Sequence, residues 1–198
     1  MSAHNWVIAE AVRPRSKLTT IDEWLHDMNR PDKPWQVRVM RVPEEPTPYF
    51  SGVTIAEREA VQDIVLNEYI GIKYPISVIR LGWYRFFNNL PFRIKGKWCT
   101  KVAWEPWERV CPGVLDRIPD GKRKKNPTPR TFEKRAFAGN LVDVTSQIFP
   151  GVPGMFRVHF GAILPGDILC ATTHTAYGKA IQAVLSSVSN HNAVFVKP

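Results

Sequence analysis

The stretch Lys97-Trp98-Cys99-Thr100-Lys101-Val102-Ala103-Trp104 has the residue types for thiol chemistry. It follows a basic, aromatic, loop-like segment. Cys99, Val102 and Ala103 then fall at i, i+3 and i+4, the spacing of one helix face. A cysteine there lies beside the unpaired N–H groups of the first helical turn, at the positive end of the helix dipole. Both stabilise a thiolate, and Lys97 and Lys101 add positive charge. A thiolate is a nucleophile. A half-buried structural thiol between two tryptophans also fits these residues, and locally both readings stay open.

A thiol nucleophile needs an imidazole to relay the proton and a polar group to orient that imidazole. The chain has five histidines. His4 is near a terminus, His26 falls on a polar helix, and His159 and His174 lie in segments of undecided type. His191 opens an apolar strand directly after the polar turn 186–190, where a sheet can present it rigidly. Glu10 stands in a second strand, 6–12 (WVIAEAV), between apolar Ile8 and Val12 on one face. A partly exposed sheet edge explains that acid; so does a role in the chemistry.

Other elements must position these groups. Residues 35–42 (WQVRVMRV) alternate as a strand. A helix over 54–69 is announced by the capping box Thr54/Glu57 and closed by Gly71. A shorter helix, 21–28, has the same device in Thr20/Glu23. Residues 13–17 read as a basic turn, and Pro106 as a kink or stop in the Cys99 helix. Segment 137–148 suits strand or short helix, and 155–163 suits a strand. Residues 164–169 (LPGDIL) turn into another strand, 176–188 form a helix, and 191–196 are the last strand, with Ala193 and Phe195 beside His191 on one face.

The whole chain reads as one domain, 1–198. An apolar fraction of 44% with seven tryptophans can fill a core, and seventeen prolines imply many irregular connections. Three cysteines at wide spacing do not make a disulfide framework, and no Cys/His spacing implies zinc or any other cofactor. The net charge of +9 suits an anionic partner, whether nucleic acid, phospholipid or cell-wall polymer, or simply a solvated basic surface. Lys122, Arg123, Lys124 and Lys125 are the candidate contacts to such a polymer. The aromatic segment 72–90 suits base stacking or core packing. With no signal-like start and no long apolar run, the expectation is a soluble protein, cytoplasmic or virion-associated.

The pieces Leu164-Pro165-Gly166-Asp167-Ile168-Leu169 and Ser189-Asn190-His191-Asn192-Ala193-Val194 resemble the Gly-Asp and Ser-x-His strand motifs of the NlpC-type papain-like superfamily. The strand ending Glu10-Ala11, the arginine-containing strand 35–42, Gly71-Ile72-Lys73-Tyr74 and Trp98-Cys99-Thr100 are similar to its permuted, YiiX-like or lecithin:retinol acyltransferase-like branch. The resemblance implies an α+β papain-like fold, a small antiparallel sheet packed against the Cys99 helix and the 54–69 helix. It implies Cys99 as nucleophile, His191 as base and Glu10 as the orienting group of a cysteine peptidase, amidase or acyl hydrolase. Its substrate would be a peptidoglycan peptide, another peptide or an acyl ester. Three departures stand out. Cys99 precedes His191, whereas the permuted branch has the reverse order. No strand follows 196, so either the strand at 6–12 takes that place beside His191 or the triad is incomplete. Thr100 replaces the common serine. Residues 112–161 form an insertion without counterpart. The rival expectation is a non-catalytic basic virion or nucleic-acid-associated structural protein on the same fold.

Overall fold

The computed structural model describes residues 5–12, 15–32, 35–46, 51–73, 99–115, 132, 141–173, 179 and 191–198. The basic run Lys122–Lys125, most of the aromatic segment, the helix expected over 176–188, Lys97 and Trp98 lie outside them.

The chain is α+β, built on a six-stranded sheet in which every neighbouring pair is antiparallel. Strands β1 (Val7–Ala11), β2 (Ser16–Thr20), β3 (Gln36–Arg41), β4 (Val142–Asp143), β5 (Ile168–Thr172) and β6 (His191–Val196) stand in the order β2-β1-β6-β5-β3-β4. β2 corrects the reading of 13–17 as a turn: Ser16 and Lys17 pair with Ala11 and Glu10 in a hairpin. Its SKLTT sequence carries one large apolar residue, which hid it from a search for apolar alternation. β1 is therefore an interior strand, and an exposed edge does not account for Glu10.

Both faces of the sheet are covered. β-branched and small apolar residues fill both sides of β5 and β6, the pattern of a strand buried front and back. On one face, Ala9, Ala11, Ile168, Val194 and Val196 pack against helices α2 (Ile55–Glu68) and α3 (Cys99–Val110). On the other, Ile8, Val39, Leu169, Ala193 and Phe195 pack against Trp24 and Met28 of α1 (Ile21–Met28) and against Ile148, Phe149 and Phe156. The described part of the insertion thus supplies a second covering layer, which includes the short helix α4 (Thr145–Ile148).

Capping boxes at Thr20/Glu23 and Thr54/Glu57 start α1 and α2 as expected. α3 does not stop at Pro106; it runs on to Val110. A proline removes one helical N–H, and Val102, Ala103 and Trp107, all fully buried, hold the helix in place by packing. Residues 155–163 are not a strand. The Asn29 side chain takes both the N–H and the C=O of Phe156, which a neighbouring strand would need, and Phe160–Ala162 form a 3-10 turn. The segment 137–148 resolves within its described part into both expected alternatives, β4 and then α4.

The Gly-Asp turn is tied to α2 and β3 through charge. Asp167 is fully buried and receives Arg41 in a two-pronged pair, Nε at 2.8 Å and Nη2 at 2.5 Å. Arg58 of α2, also fully buried, lies 3.7 Å from the same carboxylate, donates to the Val42 and Pro165 carbonyls, and sits over the Trp107 ring. Gly166 has φ +78°, and a Cβ there would stand 2.7 Å from Trp107. The sequence therefore needs glycine at this turn both for its backbone angle and for space.

Candidate active site

β1 and β6 are neighbours, with Glu10 opposite Ala193. Residues two apart on a strand share a face, so Glu10 and His191 stand on the same side of adjacent strands. They touch: His191 Nε2 is 2.8 Å from Glu10 Oε2. The other carboxylate oxygen accepts a hydrogen bond from the Thr19 hydroxyl of β2 and lies 3.6 Å from Lys17 Nζ. Trp24 of α1 stacks on the imidazole, with centroids 5.6 Å apart and planes at 21°. Trp35 meets Trp24 edge-on at 5.1 Å.

Cys99 comes from the opposite layer, as the first residue of α3. It is 3% exposed. The His191 side chain and the backbone N–H of Asn192, at the start of β6, both act on its sulfur and favour the thiolate. With Nε2 engaged by Glu10, the ring has Nδ1 left for the sulfur. Cys99, His191 and Glu10, far apart in sequence, thus stand together, with His191 hydrogen-bonded to Glu10 and acting on the Cys99 sulfur. His26 and His159 are exposed.

Burial opposes charge on every member of that line, and the partners decide the outcome. For Glu10, burial pushes the carboxyl up. The bond and charge of His191, the Thr19 hydroxyl and Lys17 outweigh it and hold the carboxyl below its ordinary value. For His191, burial works to lower the imidazole, but the bonds to Cys99 and Glu10 push it up to about 10. For Cys99, burial works to raise the thiol. His191, the Asn192 N–H and Thr100 together bring it below the ordinary thiol value. Each group thus favours the charged form of its neighbour: thiolate, imidazolium and carboxylate. Cys111 shows the contrary case: burial and then Glu57 push its thiol up to about 12.

This ion pair sets a pH profile for folding. The raised imidazole stabilises the fold fully below its ordinary 6.5, and that contribution is lost as pH climbs to about 10. The lowered thiol stabilises it fully above its ordinary 9.0, and that contribution is lost as pH falls through the folded value. From the higher of 6.5 and the folded thiol's value up to 9.0 the slopes cancel, because the folded ion pair and the unfolded neutral pair each hold one proton. Urea midpoints should therefore be level across that window and fall on either side. In Cys99→Ser the imidazole keeps Glu10 alone, so the alkaline fall should begin near 6.5. Identical profiles for the two proteins would show that no such pair exists.

No family model, curated protein or solved structure matches this chain. The site is described by its own geometry.

Among the described residues, no group of three or more His, Cys, Asp or Glu side chains is placed to hold a metal ion. No described helix is long and apolar enough to cross a membrane. An open pocket of about 580 Å³ lies on the α1 side, walled by Trp24 and Trp35 and reaching Glu10 and Thr19; Cys99 is not in its wall. Lys122, Arg123, Lys124 and Lys125 are outside the described residues and cannot be placed relative to the site.

Sequence reasoning did not find Trp24, Thr19 or Asn192. Trp24 shares a helix face with Ile21 and Met28 and reads as ordinary core. Thr19 belongs to β2, a strand with no apolar alternation to reveal it. Asn192 had a signal: it is the one polar residue in the alternating set Asn192, Val194, Val196, on a face that is otherwise apolar.

Proposed function

We propose that this protein is a cysteine hydrolase of papain-like, NlpC-type fold, cleaving an amide or an acyl ester. The observation that carries the reading is the gathering of Cys99, His191 and Glu10, with the sulfur in the first turn of α3 and the hydrogen-bonded His191 and Glu10 on adjacent strands. The β1 strand standing beside β6, where the resemblance required an orienting acid, supports the papain-like assignment.

The chemistry follows from the ionisation. The Cys99 thiolate attacks the carbonyl carbon, and the C=O π pair moves to oxygen. N–H groups in the first turn of α3 share that negative charge in this reading. The tetrahedral intermediate collapses as the C–N or C–O bond breaks, and His191 gives its proton to the leaving amine or alkoxide. A thioester to Cys99 remains. His191, now neutral, takes a proton from water, and the oxygen of that water attacks the thioester. The thiolate leaves and the acid is released. Glu10 keeps Nε2 as the protonated nitrogen it binds, so that Nδ1 serves the sulfur. Because Cys99 is 3% exposed, substrate binding has to uncover it. A peptide amide, with peptidoglycan peptides first, is the preferred substrate class, since the +9 charge suits an anionic wall. Acyl esters come second.

Alkylation by iodoacetamide against pH tests this, with mass spectrometry reading each cysteine separately. The Cys99 midpoint is expected well below that of a free thiol, roughly 8.5, and Cys111 well above it. A Cys99 midpoint at or above the free-thiol value would remove the chemistry. In that case, salt-sensitive binding to random-sequence DNA or RNA would favour the basic structural protein instead.

A further inference from the structure

Asn192 is fully buried, and its side chain joins neither His191 nor Glu10. It bridges two other groups. Its amide oxygen accepts from Thr100 Oγ1 at 3.2 Å, and its Nδ2 donates to Cys170 Sγ at 3.1 Å. Thr100 Oγ1 in turn lies 4.0 Å from the Cys99 sulfur, with either atom able to donate. A hydroxyl has one proton, which cannot serve both Asn192 and the sulfur. With the amide oxygen toward Thr100, Asn192 competes with the sulfur for that proton, and a thiolate gains less from it. Turned end for end, the amide keeps both contacts. Nδ2 then donates to Thr100, the amide oxygen accepts the Cys170 S–H, and the Thr100 proton is free for the sulfur. The two ends of an amide have nearly the same shape, so the turn costs no packing.

We propose that Asn192 is a positioning residue for Cys99, its amide turned so that donors run from Cys170 through Asn192 and Thr100 to the thiolate. The proposal rests on the reading of Cys99 as the nucleophile. The backbone of the same residue already supplies an N–H to that sulfur. One residue of β6 therefore serves the thiolate twice, directly and through the helix start. His191 faces the sulfur from the strand end, with Glu10 behind it. The resemblance noted a serine where this chain has Thr100; a hydroxyl is what the two have in common.

The test is the pH midpoint of Cys99 alkylation in the full chain, read by mass spectrometry beside the melting temperature. Asn192→Leu keeps the volume and the backbone N–H but removes the amide. Thr100→Val keeps the shape of the helix start but removes the hydroxyl. Each is expected to raise the midpoint by about half to one pH unit, the worth of one hydrogen bond. Thr100→Ser is expected to stay near wild type. A fall in melting temperature with the midpoint unmoved would reduce Asn192 and Thr100 to packing and overturn the proposal. Should Asn192→Leu fail to fold, an unmoved midpoint in Thr100→Val overturns it just as well. An ordinary midpoint in the wild type means that the hydrolase reading has failed. A depressed wild-type midpoint that neither variant moves means that only this inference has failed.

Discussion

Replacing His191 with Gln is expected to lower kcat/KM for amide cleavage by about 10⁴-fold, the upper end for loss of a general acid–base. Two losses combine. The leaving amine no longer receives a proton, and the thiolate loses its cation. With the imidazole gone, burial acts on Cys99 against fewer opposing contacts, so its alkylation midpoint should rise toward or above that of an ordinary thiol. The leaving group separates the two losses. A p-nitrophenyl ester departs without needing a proton, so its hydrolysis should suffer less than cleavage of a peptide amide. Glu10→Gln is expected to be milder, about 10²-fold, because the ring still faces the sulfur and only its orientation and charge support weaken. An amide at residue 10 also lets the ring turn or change tautomer, so the Cys99 midpoint should move part of the way. Equal rates for His191→Gln and wild type on both substrates would exclude His191 from the reaction. A larger loss for Glu10→Gln than for His191→Gln would mean that the roles along the line are assigned wrongly.

The line itself was legible in the sequence because each member carries a local signal. Cys99 opens a helix among lysines, His191 opens an apolar strand after a polar turn, and Glu10 is an acid on an apolar face. The pairing that joins them came from the resemblance and not from any local pattern. It depends on β1 lying between β2 and β6, and β2 escapes notice, with its first two residues inside the expected turn 13–17, because Ser16, Lys17, Thr19 and Thr20 lack apolar alternation. Its stabilisation is cross-strand: five register pairs with β1, and the Thr19 hydroxyl on Glu10. The second covering layer was hidden for a related reason. Residues 145–163 bury Ile148, Phe149 and Phe156 through irregular backbone held by Asn29, and such contacts have no period to detect. Periodicity also treated α2 as plain core. It could not reveal that Arg58, among Val61 and Val65 on the buried side, is fully enclosed as well.

That buried arginine leads to the largest expected effect on stability. Asp167→Asn should cost about 3–5 kcal/mol, the usual range for removing one partner of a buried charge pair. Burial pushes the Asp167 carboxyl up against the pull of Arg41 and, more weakly, Arg58, and burial prevails. The cluster is therefore not a rich source of stability when whole. The cost of Asp167→Asn comes chiefly from Arg41, largely buried, which loses its two-pronged partner and keeps the Ala162 carbonyl. Arg58, fully buried, loses the buried one of its two carboxylates and keeps the carbonyls of Val42 and Pro165 and the half-exposed Glu44, 3.4 Å from its Nε. The Leu164 N–H that now bonds to Asp167 also loses its charged acceptor. The exposed pair Arg109–Glu68 gives the comparison. Both of its side chains are 49% exposed, so Glu68→Gln should cost less than about 1 kcal/mol. Urea melts of both variants measure the difference. If the two losses are equal, Asp167 is hydrated well enough that its burial does not matter. Asp167→Leu combined with Arg58→Met should recover part of the loss, because it removes a buried charge as well as its partner. No recovery would show that the Gly-Asp turn depends on the carboxylate's bond to Leu164 rather than on charge balance.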